Sequence, residues 1–313
     1  MSLLALDLGG TKLAIAHFTK DGEIRTKHTV ALNGRTGKLV GELVAAETRQ
    51  FLNTAFIEAI GVAVPGIYSE VNGTVWAPNI PGWDYYPLLK ELEAVGNGIP
   101  VVIDSDRACY ISGEIWHGNA KDCRDAIFLA VGTGIGAGIV SGGNIIRGAS
   151  DIAGAVGWMA LNPPYTNKYD DCGCFESHAS GEGIKKVFVS QLSESLSAGQ
   201  VHKLSAYDVF EKFEQKDPVA ISVIDDSILY WGMAVANLVS IFNPQKVILG
   251  GGVFGPAQKF IPRIREEAEK WAQPISMQQV ELCASLLGND AGLYGAAYLA
   301  LQVASSKKMN DAL

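Results

Sequence analysis

Hydrophobic and polar positions along this chain form blocks that predict strands and helices in turn. Apolar runs at 3–8 and 13–19 are typical of strands, and the spacing of apolar positions between 37 and 52 is typical of a helix. Later segments continue the alternation. The strands are predicted at 59–64, 101–105 and 246–252, and the helices at about 106–116, 219–242 and 291–304. Alternation of this kind predicts an α/β architecture.

A glycine-rich strand–turn–strand pattern occurs twice. LALDLGGTKLAIA (4–16) is similar to LAVGTGIGAGIVSG (129–142), which is a weak internal repeat. The repeat predicts two related lobes, each opening with a hairpin, and a nucleotide cleft between them. The glycine- and charge-rich segment 117–125 is the best candidate for a connection. The predicted small lobe comprises 1–117 plus 299–313, and the predicted large lobe comprises 118–298.

Composition narrows the class of protein. Of 313 residues, 48% are hydrophobic and 19% are charged, which is a globular composition. A net charge of -8 without a Lys/Arg run disfavours a nucleic-acid surface. The apolar stretch 227–242 is too short for a membrane span, so a buried core helix is expected. Five scattered cysteines and a first segment without leader features predict a reduced, cytoplasmic protein.

The first glycine turn has the residue types that hold phosphate. Asp7 ends a strand, and Gly9 and Gly10 let the backbone approach a ligand. Backbone N–H groups, with Thr11 and Lys12, could hold phosphate oxygens, while Asp7 could orient Mg²⁺ through water. The alternative is a tight turn in which glycine supplies only a positive φ.

Two further glycine sites follow. VGTGIGAG (131–138) fits neither the dinucleotide fingerprint nor the P-loop, and a strand follows it. It instead looks like a second hairpin turn, with Thr133 as a hydroxyl donor to phosphate. In VILGGGVFG (247–255), a strand runs into three glycines. That bare surface could receive an adenine or a ribose, or could only allow close helix packing.

These motifs together resemble the ROK family (repressors, uncharacterised frames and sugar kinases) of the actin-like ATPase superfamily. The likeness covers nearly the whole chain. It rests on LDLGGTK (6–12), AVPG (63–66), PNIPGW (78–83), IDSDRACYISGE (103–114), VGTGIGAG, GCFESHASG (173–181), ILGGGV and LGNDAGLYGAA. The resemblance implies a two-lobed actin-like (ribonuclease H-like) α/β fold with a nucleotide and sugar cleft. It also implies an ATP-dependent sugar kinase of the glucokinase type that uses Mg²⁺ and forms a homodimer.

Site residues follow from the resemblance. It implies phosphate contacts at Asp7, Gly9, Gly10, Thr11, Lys12, Gly132, Thr133 and Gly134, and a nucleoside near Gly250, Gly251 and Gly252. The general base of the family falls on Asp106, and Ser105 stands where the family has Asn. A carboxylate at a helix N-terminus is expected to stay ionised, as a weak base. Its alternative role is a helix cap.

Sugar contacts also carry over by position. The family places them at Asn79, Asp106 and Glu176. Trp83, four residues after Asn79, is interpreted as a packing residue rather than a ring that faces sugar.

The sugar part of the pattern departs from the family at two positions. The Glu of the Gly-Glu-x-Gly-His segment is Ala155 here, and its His, which binds sugar and zinc, is Trp158. Loss of a buried acceptor changes discrimination between substrates. Trp158 could stack on a pyranose or fill space beside a substituent, so a different or modified hexose is expected.

The zinc loop of the family is also incomplete. Asn167 and Tyr169 replace its first two cysteines, Cys174 matches its third, and Cys172 lies at a non-family position. Structural zinc takes four ligands, usually in spaced pairs, so no structural zinc is expected. An apolar cluster is expected in its place. Its members would be Trp158, Tyr165, Tyr169 and Phe175.

Two hypotheses remain after these departures. The leading one is transfer of the γ-phosphate of ATP to a hydroxyl of a hexose or related monosaccharide, with Asp106 as general base. The alternative is a non-catalytic, sugar-binding regulatory protein. Because no helix-turn-helix precedes the first phosphate strand, DNA repression is disfavoured.

Overall fold

A computed structural model describes residues 1–192 and 198–311, apart from the side chains of 198, 202 and 308–311. The chain forms two compact units. Unit 1 comprises Met1–Asp122, Arg147–Ala153 and Asn289–Leu313, and unit 2 comprises Cys123–Ile146 and Gly154–Gly288. Unit 1 is therefore assembled from three separate stretches of sequence.

Unit 1 is a five-stranded mixed sheet with helices on both faces. Its strands are β1 (Ser2–Leu8), β2 (Lys12–Thr19), β3 (Ile24–Ala31), β4 (Ala59–Val64) and β7 (Val101–Ser105), in the order β3-β2-β1-β4-β7, with a separate pair β5 (Ile67–Ser69) and β6 (Thr74–Trp76). Its helices are α1 (Lys38–Thr54), α2 (Leu88–Gly96), α3 (Asp106–His117) and α11 (Ala291–Asp311).

The hydrophobic pattern explains this layered arrangement. Leu4, Leu6 and Leu8 of β1 lie in the core on one face of the sheet, while Leu3 and Ala5 lie in the core on the other face. Because successive side chains of a strand point to opposite faces, a strand of continuous apolar residues must be covered on both sides. The first core includes residues of α1 and α2, and the second includes residues of α3 and α11.

Unit 2 repeats the strand order of unit 1. Its strands are β8 (Ala126–Val131), β9 (Ile135–Ser141), β10 (Asn144–Ile145), β11 (Lys246–Gly250) and β12 (Glu281–Ala284), in the order β10-β9-β8-β11-β12. Its helices are α4 (Cys174–Ala179), α5 (Gly181–Gln191), α6 (Ala198–Lys203), α7 (Ala206–Glu214), α8 (Pro218–Phe242), α9 (Ile261–Glu269) and α10 (Pro274–Gln279). Antiparallel pairs at one side and parallel pairs at the other occur in both sheets, so the internal repeat predicted from the two glycine hairpins is confirmed.

Helix α8 is the predicted long apolar helix. Asp217 caps it by accepting from the Ala220 N–H at 2.9 Å, and Pro218 occupies the first turn. By length and composition it is apolar enough to cross a membrane, but 61% of its most apolar window is buried inside the protein. The helix is longer than the apolar run at 227–242, so the argument from length was wrong, whereas the predicted burial is confirmed.

Most element bounds agree with the pattern of the sequence, with one clear difference. The last helix extends to Asp311, beyond the predicted end near 304. Residues 305–311 are largely polar and carry no apolar spacing, so periodicity gave no signal for that part of the helix.

Candidate active site

Two carboxylates stand at the carboxyl ends of two parallel strands in the sheet of unit 1. Asp7 is the next-to-last residue of β1, and Asp106 follows β7 as the first residue of α3. Strand β4 lies between β1 and β7, and all three run parallel. In open α/β sheets, ligands bind beyond the carboxyl ends of such strands.

The pKa of Asp7 is strongly perturbed. Burial raises the pKa of Asp7 to about 7, and the negative charges of Asp106 and Asp290 add to this, while Lys12 and Lys27 oppose it. Sequence reasoning gave no role to Asp290 or Lys27. They pair as ions from β3 and the turn before α11, 263 positions apart.

Asp106 does not cap helix α3, which was the alternative role considered from the sequence. Ser105 is the N-cap of α3, and its side chain accepts from the Ala108 N–H at 3.3 Å. The Asp106 Oδ1 accepts from the Arg107 N–H at 2.8 Å. Burial raises the pKa of Asp106 to about 6, although Arg107 and a hydrogen bond with Tyr110 oppose the rise. A pKa of about 6 leaves the carboxylate mainly ionised near neutral pH, in agreement with that part of the expectation, while burial makes it a stronger base than an exposed aspartate.

The first glycine turn is shaped by a close neighbour. The Gly9 N–H donates to the Lys12 carbonyl at 2.9 Å, which closes the hairpin. Neither Gly9 nor Gly10 has a positive φ, so the alternative of a turn that merely needs glycine φ is wrong here. A Cβ on Gly10 would lie 3.1 Å from the Cβ of Asn79. The predicted phosphate turn and the predicted sugar residue Asn79 are thus brought together.

Glycine is also required beside Asp7 itself. A Cβ on Gly292, in the first turn of α11, would overlap the Asp7 carboxyl group. The motif LGNDAGLYGAA contains this residue, but the sequence did not show which side chain it approaches.

Trp83 packs in the core of unit 1. It is buried, its ring stacks on Tyr86 with centroids 4.3 Å apart, and its indole N–H donates to the Gly37 carbonyl at 3.0 Å. The interpretation of Trp83 as a packing residue is confirmed.

The segment 147–151 contacts the end of β7 next to Asp106. Arg147 forms an ion pair with buried Asp104, whose other oxygen accepts from the Ser105 N–H at 2.8 Å. The Arg107 guanidinium donates to the Asp151 carbonyl at 3.5 Å. These contacts join residues about 40 positions apart, so no local pattern could have predicted them.

In unit 2, the Glu176 carboxylate lies against the second glycine turn. Its Oε2 accepts from the Ile135 N–H at 2.5 Å. A Cβ on Gly134 would lie 2.7 Å from this oxygen, and a Cβ on Gly157 would lie 3.0 Å from it. Burial raises the pKa of Glu176, opposed by the Ile135 hydrogen bond and the charge of Lys186. The turn and the predicted sugar residue are again brought together.

The rest of this turn is tight and partly exposed. The Gly132 N–H donates to the Gly134 carbonyl at 2.9 Å, and the Gly132 carbonyl accepts from the Gly181 N–H at 2.8 Å. Thr133, at the tip, is exposed. Its side chain is therefore accessible to a ligand, as the phosphate interpretation requires.

The third glycine site is explained in large part by packing. A Cβ on Gly250 would overlap the Phe128 ring. Gly251 has a φ of +87°, and a Cβ on it would lie 2.5 Å from the Val131 carbonyl oxygen. Gly252 is different, because a Cβ there would meet only the Tyr207 hydroxyl, at 3.5 Å. That hydroxyl donates to the Gly252 carbonyl at 2.9 Å. Of the three glycines, Gly252 has the open face that a nucleoside would need.

The segment that departs from the family pattern does not form the expected cluster. Tyr169 and Phe175 are buried, but Trp158 is 56% exposed and Tyr165 is 72% exposed. The predicted four-membered apolar cluster is therefore wrong for those two residues. Ala155, the other departure, lies immediately before the 3-10 turn that carries Trp158 and is half-buried.

The two cysteines of this segment are free thiols. Cys172 contacts the Ser177 hydroxyl at 3.2 Å, and Cys174 is buried. Within residues 1–192 and 198–311, no group of three or more His, Cys, Asp or Glu is placed to hold a metal ion. His178 stacks on Tyr230 with centroids 4.4 Å apart, and burial lowers its pKa to about 4.

Comparisons with known proteins identify one family. The ROK family profile matches residues 3–303. A glucokinase of Halalkalibacterium halodurans is 32% identical over 98% of this chain and 97% of its own length. An N-acetylmannosamine kinase of Citrobacter koseri is 30% identical over 96% of this chain and 99% of its own. A ROK family glucokinase of Streptomyces griseus, solved with glucose and AMPPNP, has a TM-score of 0.82, with 28% identity over 96% of this chain and 100% of that one. The fold is thus the two-lobed actin-like fold of these kinases.

Proposed function

The chain belongs to the ROK family and is an ATP-dependent carbohydrate kinase, and we propose that its acceptor is a hydroxyl of a hexose or related monosaccharide, with Asp106 as the general base. The observation that carries this proposal is the carboxylate of Asp106. It stands at the end of β7 beside Asp7, its capping role is taken by Ser105, and burial raises its pKa to about 6.

The chemistry follows from that position. Above pH 6 Asp106 is mainly ionised, so it can accept the proton of a sugar hydroxyl at neutral pH. As the hydroxyl oxygen forms its bond to the γ-phosphorus, the bond from that phosphorus to the leaving ADP oxygen breaks. A pKa near the working pH favours both the ionised base and the transfer of the proton to it.

The negative charge around Asp7 favours a divalent cation held through water, although the described residues form no cluster of three direct ligands. Asp7 carries a pKa raised to about 7, partly because Asp106 and Asp290 place negative charge near it. A cation would relieve this repulsion, and Mg²⁺ prefers carboxylate and water oxygens. We propose that Asp7 orients Mg²⁺ through water. When bound, the ion would neutralise charge on the phosphate oxygens.

Contacts to ATP are proposed at the glycine turns of each unit. The phosphate contacts in unit 1 are Asp7, Gly9, Gly10, Thr11 and Lys12, and those in unit 2 are Gly132, Thr133 and Gly134. The nucleoside is proposed to lie near Gly250, Gly251 and Gly252. The exposed Thr133 and the open face of Gly252 support these assignments.

Sugar contacts are proposed at Asn79, Asp106, Glu176 and Trp158. Asn79 and Glu176 each lie against a glycine turn, which supports this set. The departures at Ala155 and Trp158 support a modified sugar site without the zinc of the family. A homodimer and a cytoplasmic location stay predictions.

Replacement of Asp106 by Asn tests the base. We expect kcat for sugar-dependent ADP release to fall roughly 100- to 10,000-fold, because general-base catalysis contributes about that much. The dissociation constant of ADP, measured by titration calorimetry, should change less than about 3-fold. Asp84→Asn, at an exposed aspartate of the same unit, is the matched control. Near wild-type turnover of Asp106→Asn would remove the residue from this role.

The same assay distinguishes a kinase from a non-catalytic, sugar-binding regulatory protein. Wild-type protein is incubated with ATP, Mg²⁺ and a panel of monosaccharides, and phosphorylated product is measured beside thermal stability. Product from at least one sugar supports the proposal. Stabilisation by a sugar with no product from any of them would favour a binding protein.

A further inference from the structure

Tyr207 lies beside the third glycine site of unit 2. It is the second residue of α7, and its hydroxyl donates to the Gly252 carbonyl at 2.9 Å. A Cβ on Gly252 would lie 3.5 Å from the hydroxyl oxygen, and a Cβ on Gly255 would lie 3.9 Å from it. The tyrosine therefore borders the open face of Gly252, where the nucleoside is proposed to lie.

The backbone turn at 252–255 leaves room for a flat ligand. Its two apolar side chains, Val253 and Phe254, are buried in the core of unit 2. Gly252 is half-buried and Gly255 is exposed. Because neither glycine carries a side chain, a ligand can approach the backbone of this turn closely.

The ring of Tyr207 is exposed although its position is fixed. The residue is 55% exposed, whereas Val209 and Phe210 of the same helix are buried in the core. The start of the helix is held by the Ser205 N–H, which donates to the Asp208 carboxylate at 2.7 Å. An aromatic ring that is held at its hydroxyl and at its backbone can bind a ligand at a small cost in conformational entropy.

The chemistry of this side chain suits a nucleobase. The hydroxyl proton of Tyr207 is already used by the Gly252 carbonyl, so the face of the ring remains available to a ligand. Every nucleobase has a flat π face, and stacking of a base on an aromatic side chain is favourable whichever base it is. The open backbone of Gly252 and the exposed ring of Tyr207 thus form two adjoining surfaces for one flat group.

We propose that Tyr207 binds the adenine of ATP by stacking, and that its hydrogen bond to Gly252 fixes the angle of the ring. The proposal rests on the proposed nucleoside site at Gly250, Gly251 and Gly252. Tyr207 then contributes to the affinity for nucleotide and has no part in proton transfer or in sugar binding.

The test compares the binding of ADP with that of inorganic pyrophosphate, which has two phosphates but no nucleoside. Both dissociation constants are measured by titration calorimetry in the presence of Mg²⁺. Tyr207→Ala should raise the dissociation constant of ADP about 10-fold, the loss expected for one stacked base, and that of pyrophosphate less than about 2-fold. Tyr207→Phe keeps the ring and should bind ADP within about 3-fold of the wild type. Trp271→Ala, at another exposed aromatic of unit 2, should change neither constant.

The outcomes separate this inference from the proposed role of Asp106. These titrations need neither sugar nor turnover, so the assignment of Tyr207 holds even where Asp106→Asn keeps its activity. Unchanged ADP binding by Tyr207→Ala would overturn it, and so would a loss in Tyr207→Phe as large as that in Tyr207→Ala. Equal losses of ADP and pyrophosphate binding would also overturn it, because Tyr207 would then act through the phosphate turns.

The wild type itself supplies a further criterion. If it binds pyrophosphate as tightly as ADP, the proposed nucleoside site and the role of Tyr207 both fail, while the proposed role of Asp106 is untouched. Melting temperatures of the variants confirm that each is folded.

Discussion

Replacement of Asp106 by Asn should stabilise the folded protein at pH 8 while it removes activity. The aspartate has a usual pKa of 3.8, and burial raises it to about 6 in the folded state. Between these values the folded state binds more protons than the unfolded state, so stability falls as pH rises through the window from about 4 to 6. Above pH 6 the full loss of folding free energy caused by the buried charge of Asp106 is present.

The magnitude follows from the size of the pKa change. A rise from 3.8 to about 6 corresponds to about 3 kcal/mol, at about 1.4 kcal/mol for each pKa unit. Asp106 is half-buried and keeps some hydration, so a gain of about 1 to 3 kcal/mol is expected for the variant. The Asn side chain retains an oxygen that can accept the Arg107 N–H, so this hydrogen bond is preserved.

Thermal melting followed by fluorescence, in EDTA so that cations do not screen the carboxylates, measures the effect. About 1 kcal/mol shifts the melting temperature of a domain of 150 to 250 residues by about 2 to 4 °C. The variant should therefore melt roughly 2 to 12 °C above the wild type at pH 8, and the gain should shrink by about half at pH 5. Asp84→Asn, at an exposed site, should show no pH-dependent gain. The reasoning fails if Asp106→Asn melts at or below the wild type at pH 8, or if its gain is the same at both pH values.

Two further substitutions test unit 2. Gly134→Ala places a methyl group 2.7 Å from the Glu176 Oε2 and should displace this carboxylate from the Ile135 N–H, which raises the KM for sugar about 10-fold. An unchanged KM would contradict the sugar role. Trp231→Phe removes a buried indole N–H that donates to the Ala179 carbonyl at 3.0 Å. The free energy of unfolding, measured by chemical denaturation, should fall by about 2 to 3 kcal/mol. Trp271→Phe, at an exposed site, should lower it by less than about 1 kcal/mol. Equal costs for the two tryptophans would refute the packing argument.

The sequence predicted features that depend on local pattern. The two glycine hairpins, the helix after Asp106 and the long apolar helix α8 all follow from the spacing of apolar, glycine and capping residues within one short segment. The family resemblance then supplied the candidate site residues, because its motifs are continuous in sequence.

Features that depend on distant neighbours could not be predicted. The pKa of Asp106 is set by burial, which needs residues from several elements. The ion pairs of Lys27 with Asp290 and of Arg147 with Asp104 join remote positions. At position 158 the sequence shows a tryptophan but not whether other residues cover its ring, so packing was expected where the structure has an exposed ring.

The position of α11 has a consequence for synthesis of the chain on the ribosome. The helix supplies Leu293, Ala296 and Ala300 to the core that covers one face of the N-terminal sheet, and it brings Gly292 to Asp7. The strands of that sheet are translated first. Helix α11, which covers one face of them, is present only after residues beyond 289 have emerged. Unit 2, encoded by the intervening sequence, has all its residues by 288. Translation therefore completes the residues of unit 2 before those of unit 1, so one face of the N-terminal sheet has its helix cover only after α11 has been synthesised.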